Sequence, residues 1–395
     1  MAEDTELEEV ETEAGGEPEP TAEDQEDELL IGIDVGTQNT IGLFSDGETE
    51  VVKEYSSIVG FPKNDLSRQK LEDILGRPVA FDDEVYDKNI VQNIEMRWPL
   101  KTFDEQYDGD QDGLSEEDRE TLNTVVQRVL NEEEIENNLE ESPYLRIAIA
   151  TPSTTALEYN QNLIDYARRN LPEEARPSFL IESESHFAGY KLAQLDGDLG
   201  REGVIVVDIG AGTTDFHVYD GNPSDNTNTH SLATAGNDIT DRLFELLQDS
   251  GYQNTWQEVE SIKQEYGRIE PSANPPRRDP ELVISDLRYQ GRDNVRADIG
   301  PEMEKAHRPL LKELVDGYKD LMNEYTGPLP QNVVLVGNQG QVDGLKEAFQ
   351  KTLNEEKFSV DVRNLADFDI SDPNTFVAKG ALERIKYTPY KQLAH

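Results

Sequence analysis

Val207-Asp208-Ile209-Gly210-Ala211-Gly212-Thr213-Thr214-Asp215 ends an apolar run from Gly203 with an aspartate and a glycine-rich turn. Asp215-Phe216-His217-Val218-Tyr219 follows, so the unit reads as strand, turn, strand. The same unit occurs earlier. Leu29-Leu30-Ile31-Gly32-Ile33-Asp34 runs into the turn Val35-Gly36-Thr37-Gln38-Asn39 and returns as Thr40-Ile41-Gly42-Leu43-Phe44. One glycine-containing hairpin with an aspartate is unremarkable. Two of them on matching strands point to an internal duplication, with two equivalent loops placed face to face.

The loop chemistry suits an anionic ligand. Gly36, Gly210 and Gly212 let backbone amides approach a ligand with no Cβ in the way. Successive N–H groups in such a turn form a concave anion site. Thr37, Gln38, Asn39 and Thr40 in the first loop, with Ala211, Thr213 and Thr214 in the second, complete the phosphate-binding candidates. Asp34 and Asp208 cannot bind a phosphate directly. They can hold a hydrated Mg²⁺, which keeps several waters and binds through carboxylates plus phosphate oxygens.

Around these units the chain alternates helix and strand patterns. Helices are predicted over Ser115 to Leu139, Thr155 to Arg169, Pro301 to Tyr325 and about Asn374 to Tyr387. Strands are predicted at Leu145–Ala150, Phe179–Ile181, Leu282–Ile284 and Asn332–Val336. A small-residue helix should follow Ile181, through Ala188, Gly189 and Ala193.

Composition excludes several classes. The formal charge is −47, and residues 1–28 hold 14 acidic and no basic residues. Removing those 14 charges leaves −33 on residues 29–395, so the folded body itself is acidic. Such a body repels itself at low salt, whereas in molar salt screening shortens to roughly 3 Å. That pattern predicts a halophile's cytoplasmic protein. No cluster of Lys and Arg is present for a phosphate backbone, so direct nucleic-acid binding is not expected. There is no cysteine, and the five histidines show no ligand spacing. The N-terminus lacks a basic region and an apolar region, and no apolar run approaches membrane-span length. Segment 1–28 has too few large apolar residues to offset ordering entropy and is predicted to be disordered.

Ile31–Thr40 and Val207–Asp215 resemble the two phosphate motifs of the actin, heat-shock chaperone and sugar-kinase ATPase superfamily. Val333-Val334-Leu335-Val336-Gly337 with Gly340 resembles its adenosine motif, although Asn338 stands where a second glycine is usual. Ile181-Glu182-Ser183-Glu184-Ser185-His186-Phe187-Ala188-Gly189-Tyr190 resembles the first connecting helix, and Val377–Ala381 the second. Gly236-Asn237-Asp238 resembles the segment after the second phosphate loop. Glu260–Gly267 resembles a segment of the bacterial actin MreB in which a glutamate and a lysine contact the ribose, here Glu260 and Lys263. Without those surroundings, the two would read as a surface pair on one helix. Ser57–Pro62 and Arg97–Lys101 are similar to small-lobe segments of actin and MreB, and Lys101 is a candidate phosphate contact.

The resemblance implies an α/β, actin-like ATPase fold: two duplicated lobes with ribonuclease H-like cores around a nucleotide cleft. Residues 29–196 would form lobe I, with a small subdomain at about 55–142. Residues 197–372 would form lobe II, with a small subdomain at about 250–300, and 373–395 would return to lobe I. The implied ligands are ATP or ADP with Mg²⁺. Asp34 and Asp208 would hold the metal through water, and Gly337, Asn338 and Gln339 would lie at the adenosine. Glu182, counted back from Tyr190, would orient the attacking water, with Glu184 a rival. The implied function is ATP hydrolysis coupled to self-association into filaments, in a protein most like a haloarchaeal actin homologue. Gly340 to His395 is too short for a chaperone's peptide-binding domain, so a chaperone-like module ranks second. A small-molecule kinase ranks third, because no substrate-pocket signature is apparent. The acidic tail makes membrane contact unexpected.

Overall fold

The computed structural model describes residues 28–99, 116–140, 142–151, 157–221, 228–269 and 282–394. The acidic segment before Glu28, Lys101, and the predicted helix starts at Ser115 and Thr155 lie outside the described residues.

Two sheets of the same design organise the chain. The first contains β1 (Leu29–Val35), β2 (Asn39–Ser45) and β3 (Glu50–Ser56) as an antiparallel meander. A small three-stranded sheet follows, built of β4 (Val59–Pro62), β5 (Ala80–Phe81) and β6 (Ile94–Arg97), with helix α1 (Asp65–Leu75) between the first two. Helices α2 (Glu116–Leu130) and α3 (Glu133–Leu139) lead to β7 (Tyr144–Thr151), α4 (Leu157–Asn170) and β8 (Arg176–Ser183). The first large sheet has the order β3-β2-β1-β7-β8, with β7 parallel to both neighbours.

Helices α5 (Glu184–Leu195) and α6 (Gly197–Glu202) precede the second sheet. That sheet begins with β9 (Val204–Ile209), β10 (Thr214–Tyr219) and β11 (Thr229–Leu232), another antiparallel meander. Helices α7 (Gly236–Asp249) and α8 (Trp256–Tyr266) follow, then the hairpin of β12 (Val283–Tyr289) and β13 (Arg292–Asp298). The long α9 (Gly300–Glu324) leads to β14 (Asn332–Val336), α10 (Leu345–Glu355) and β15 (Asp361–Asn364). The order β11-β10-β9-β14-β15 repeats that of the first sheet, with β14 parallel to β9 and β15. The elements around the first sheet are called lobe I below, and those around the second lobe II.

Each sheet has its own core. Ile31, Ile33, Leu145 and Ile147 are fully buried on the face that meets α2 and α4, and Val207, Phe216, Leu310 and Leu335 form part of the lobe II core. A third cluster joins the lobes. It uses the opposite sheet faces (Ala148, Ala150, Val204, Val206) together with Phe187 and Ala188 of α5 and Ala381 and Ile385 of the final helix α11 (Phe376–Tyr387). Each large side chain fully removed from water there contributes about 1.5–3 kcal/mol.

Small residues let α5 and α11 cross closely. A Cβ at Gly380 would stand 2.3 Å from the Phe187 carbonyl oxygen, a backbone atom that no rotamer change can clear. Gly380→Ala should therefore cost about 1–3 kcal/mol and lower the denaturant midpoint. An unchanged midpoint would show that the helices part without penalty.

Three elements differ from the sequence expectation. The predicted helix Ser115–Leu139 is broken at Glu132, whose backbone is extended and whose carboxylate accepts from Tyr55 (2.6 Å) and pairs with Lys53 (3.4 Å). The strand predicted at Leu282–Ile284 runs on to Tyr289 as one arm of a hairpin turned at Gln290-Gly291, both with positive φ, as tight hairpins require. The strand predicted at Phe179–Ile181 extends to Ser183, which changes the reading of the connecting helix below.

Candidate functional site

Asp34 is the penultimate residue of β1 and Asp208 that of β9, at equivalent registers beside a parallel neighbour, Ala150 in one lobe and Val336 in the other. Each aspartate enters a turn closed by the same hydrogen bond. Gly36 N–H donates to Asn39 O (3.1 Å), and Gly210 N–H donates to Thr213 O (3.0 Å). The two turns face a common cleft of about 750 Å³, including the solvent at its mouth. Asp34, Gly36, Thr37, Gln38, Asn39, Asp208, Gly210 and Ala211 line it.

Several loop residues predicted to contact phosphate do other work. Thr40 is buried in β2 and shares a 2.8 Å hydrogen bond with the Ser57 hydroxyl, which donates to Gly36 O (2.7 Å). Thr213 donates to the Asp215 carboxylate (2.9 Å) and Thr214 to Thr234 O (2.8 Å). These hydroxyls brace the loops and lie outside the cleft lining. Gly212 is also outside the lining, packed against Thr37.

The start of the connecting helix separates the two candidate glutamates by position. Ser183 is the N-cap of α5 and accepts from the His186 N–H (3.1 Å), a favoured use of serine at that position. Glu182 therefore belongs to β8, paired with Ala150, and does not line the cleft. Glu184 is the first helical residue and does line it. Its Oε1 is buried with no hydrogen-bond partner among the described residues.

Asp34, Glu184 and Asp208 thus line one cleft, and burial disfavours the ionised form of each. Burial holds Asp34 well above the usual carboxylate range, and the Asp208 charge adds to this. Burial does the same to Glu184, reinforced by Asp34, Asp208 and Asp215. Burial, then Asp215, raises Asp208 to about 7. Among the described residues no three acidic or imidazole side chains converge closely enough to grip a metal directly. The arrangement fits a hydrated dication, held through water and ligand oxygens, that relieves this crowding.

The other end of the cleft is built from α8 and the turn after β14. Glu260 and Lys263 form no surface pair. Both are buried, with Lys263 Nζ 2.8 Å from Glu260 Oε2 and donating to Gly236 O (2.8 Å). Thr240 and Gln264 also donate to Glu260. Burial lowers the Lys263 pKa, opposed by Glu260, Asp241 and Asp238. Gly337 has φ +72°, and a Cβ there would stand 2.6 Å from both Asp208 Oδ1 and Ile209 O. The glycine thus lets the turn pass beneath Asp208. Asn338 has ordinary helical angles, φ −63° and ψ −39°, so the missing second glycine imposes no strain. Gln339 lines the cleft beside it.

The segment 236–238 supports the site from behind. Gly236 N–H donates to Gly210 O (3.0 Å) and Asn237 N–H to Ala211 O (2.8 Å), anchoring the second loop on the first turn of α7. Asp238 accepts from Ala235 N–H (2.8 Å) as part of the helix cap. None of the three lines the cleft.

The lining also includes Ile41, Gln264, Pro373, Asn374 and Val377, which sequence reasoning missed as site residues. Gln264 was within reach, four positions from Glu260 on one helix. Nothing local marks Pro373 and Asn374. They arrive because α11 packs back on the first lobe.

No family model matches the chain. Among solved structures it superposes on a MamK double helical filament with a TM-score of 0.66 and 23% identity, covering 92% of this chain and 100% of that one. It also superposes on MreB5 of Spiroplasma citri bound to ADP, with a TM-score of 0.61 and 17% identity, covering 91% and 98%. The fold is actin-like. Among curated proteins, the actin-like protein MamK of Paramagnetospirillum magneticum is 25% identical over 370 residues, 91% of this chain and 93% of its own. These actin-like relatives are bacterial and lend no support to the haloarchaeal assignment drawn from composition. No described helix of this actin-like chain is long and apolar enough to cross a membrane.

Proposed function

We propose that this chain binds and hydrolyses Mg-ATP in the cleft and assembles into nucleotide-dependent filaments. The observation that carries the reading is the pair of matched loops with Asp34, Asp208 and Glu184, whose buried Oε1 has no partner among the described residues, lining the cleft between them. Mg²⁺, when bound, would neutralise phosphate charge and the crowded carboxylates, with Asp34 and Asp208 holding its waters. The Gly36 and Gly210 turns cradle the phosphates, and Glu184 accepts a hydrogen bond from the attacking water. Such chemistry is mostly positioning and charge stabilisation. Glu260 and Lys263 sit at the ribose end, and Gly337, Asn338 and Gln339 at the base.

Residues 29–196 and 197–372 are the two lobes, and 373–395 returns to the first. Closure on nucleotide turns about α5 and α11, a hinge motion of two rigid bodies. Support for assembly comes from the likeness to MamK, solved as a filament, and support for the nucleotide from MreB5, solved with ADP. The chaperone and kinase alternatives gain no comparable support.

The test is sedimentation in molar KCl with ATP, ADP or no nucleotide, followed by imaging of the pellet. We expect polymer with ATP, and less with ADP or none. High salt is specified because −33 on the body must be screened before copies approach. Absence of polymer across salt and concentration would sink the filament reading. Absence of ATP-dependent phosphate release would sink the catalytic one.

A further inference from the structure

Gly212 is a glycine for a reason that lies in the other lobe. A Cβ built there would stand 2.4 Å from Thr37 Oγ1 and 3.0 Å from Thr37 Cβ and Cγ2, and these are its three nearest neighbours. The backbone does not demand glycine, since Gly212 is not among the glycines with positive φ. By contrast, a Cβ at Gly36 would meet Asn39 O, and one at Gly210 would meet Thr213 O, each within its own loop. One residue beyond Thr37 a second contact crosses the cleft. Gln38 Nε2 donates to Asn237 Oδ1 at 3.3 Å. Asn237 is itself tied to the second loop through its N–H to Ala211 O. Thr37 is buried by this packing, with 6% of its surface exposed.

We propose that Thr37 and Gln38 form a clasp on Gly212 and Asn237, which sets how far the lobes separate and so how fast a bound nucleotide leaves. The release half of this proposal rests on the nucleotide reading above, whereas the separation half does not. All four are positioning residues, acting through the relative placement of the two loops. A nucleotide whose phosphates lie between the loops is fenced at that end, so its exit requires the clasp to part. A methyl group at 212 displaces the Thr37 side chain, and Thr37 Cβ at 3.0 Å, which no rotation of that side chain moves away, holds the loops apart.

The chain contains no cysteine, so two introduced cysteines can carry spin labels without further engineering. Asp73→Cys and Gln257→Cys place one exposed label in each lobe. In the full chain without nucleotide, Gly212→Ala should lengthen the inter-lobe distance. It should also speed release of a fluorescent ATP analogue roughly 10- to 100-fold. Thr37→Ala in the Gly212→Ala background should recover part of both effects, because it removes the atom in closest conflict. A purely local role for Gly212 would instead make the two substitutions additive. Gln38→Ala and Asn237→Ala should each speed release, and the double variant no more than either.

An unchanged distance distribution in Gly212→Ala would overturn the clasp. So would additivity with Thr37→Ala. If Gly212→Ala fails to fold, the same distance measured in the Gln38 and Asn237 variants decides. If the wild type binds no ATP analogue, the nucleotide reading fails, and the labelled distance alone still tests the clasp.

Discussion

Asp208→Asn should abolish nucleotide hydrolysis while making the ligand-free protein more stable above neutral pH. Asp208 is 5% exposed at the end of β9, and its proton is held to about pH 7, mainly by burial and then by Asp215. Below about pH 4 the group is protonated in both the folded and unfolded chain and costs nothing. Between there and about 7 the unfolded chain has released the proton and the folded chain has not, so rising pH favours unfolding. Above 7 the full cost stands. The rise from 3.8 to about 7 corresponds to on the order of 4 kcal/mol.

Asparagine keeps the shape and removes the charge. The variant should therefore melt higher than the wild type at pH 8 without Mg²⁺, with the difference vanishing near pH 4. Added Mg²⁺ and nucleotide should reverse the ranking, since they stabilise only the protein that can use them. Hydrolysis should fall at least about 100-fold, the scale set by losing one preorganised electrostatic group. A variant less stable than the wild type at pH 8 would mean that Asp208 is held in the folded state by favourable contacts, contrary to the crowding described.

The second large effect concerns which glutamate faces the water. Glu184→Gln should slow phosphate release by about 100-fold or more while leaving nucleotide affinity little changed. Glu182→Gln should leave the rate near that of the wild type. The distinction rests on the Ser183 cap, which assigns Glu182 to β8 and Glu184 to the first turn of α5. The rate should also fall with falling pH as Glu184 takes up a proton, because only the ionised carboxylate can accept from water at both oxygens. Burial and three nearby aspartates put that loss at a higher pH than an ordinary glutamate would show. The reverse ranking of the two variants would return the role to Glu182 and reject the register.

Most of the loop side of the cleft was legible because it is local. An apolar strand, an aspartate and a glycine turn are contiguous residues, and their repetition identified both Asp34 and Asp208. The end of the cleft at the turn after β14 was less legible. Asn338 seemed to break a glycine pair, yet only Gly337 needs an unusual backbone, and it needs it because of Asp208, far away in sequence. Thr40, Thr213 and Thr214 looked like ligand donors by type, but a hydroxyl's partner depends on what packs beside it. Ser57, Asp215 and Thr234 claim them.

By itself the sequence determined the duplicated strand-turn-strand units and the two aspartates that face the cleft, since each follows from short-range pattern, and its motifs carried the resemblance that implied the actin-like fold. Only the tertiary structure decided which glutamate enters the cleft, that Glu260 and Lys263 are buried rather than solvated, and that Gly212 answers to Thr37. Those facts depend on a cap that shifts a helix start and on side chains brought together from different lobes, and no pattern within a single segment encodes such a meeting.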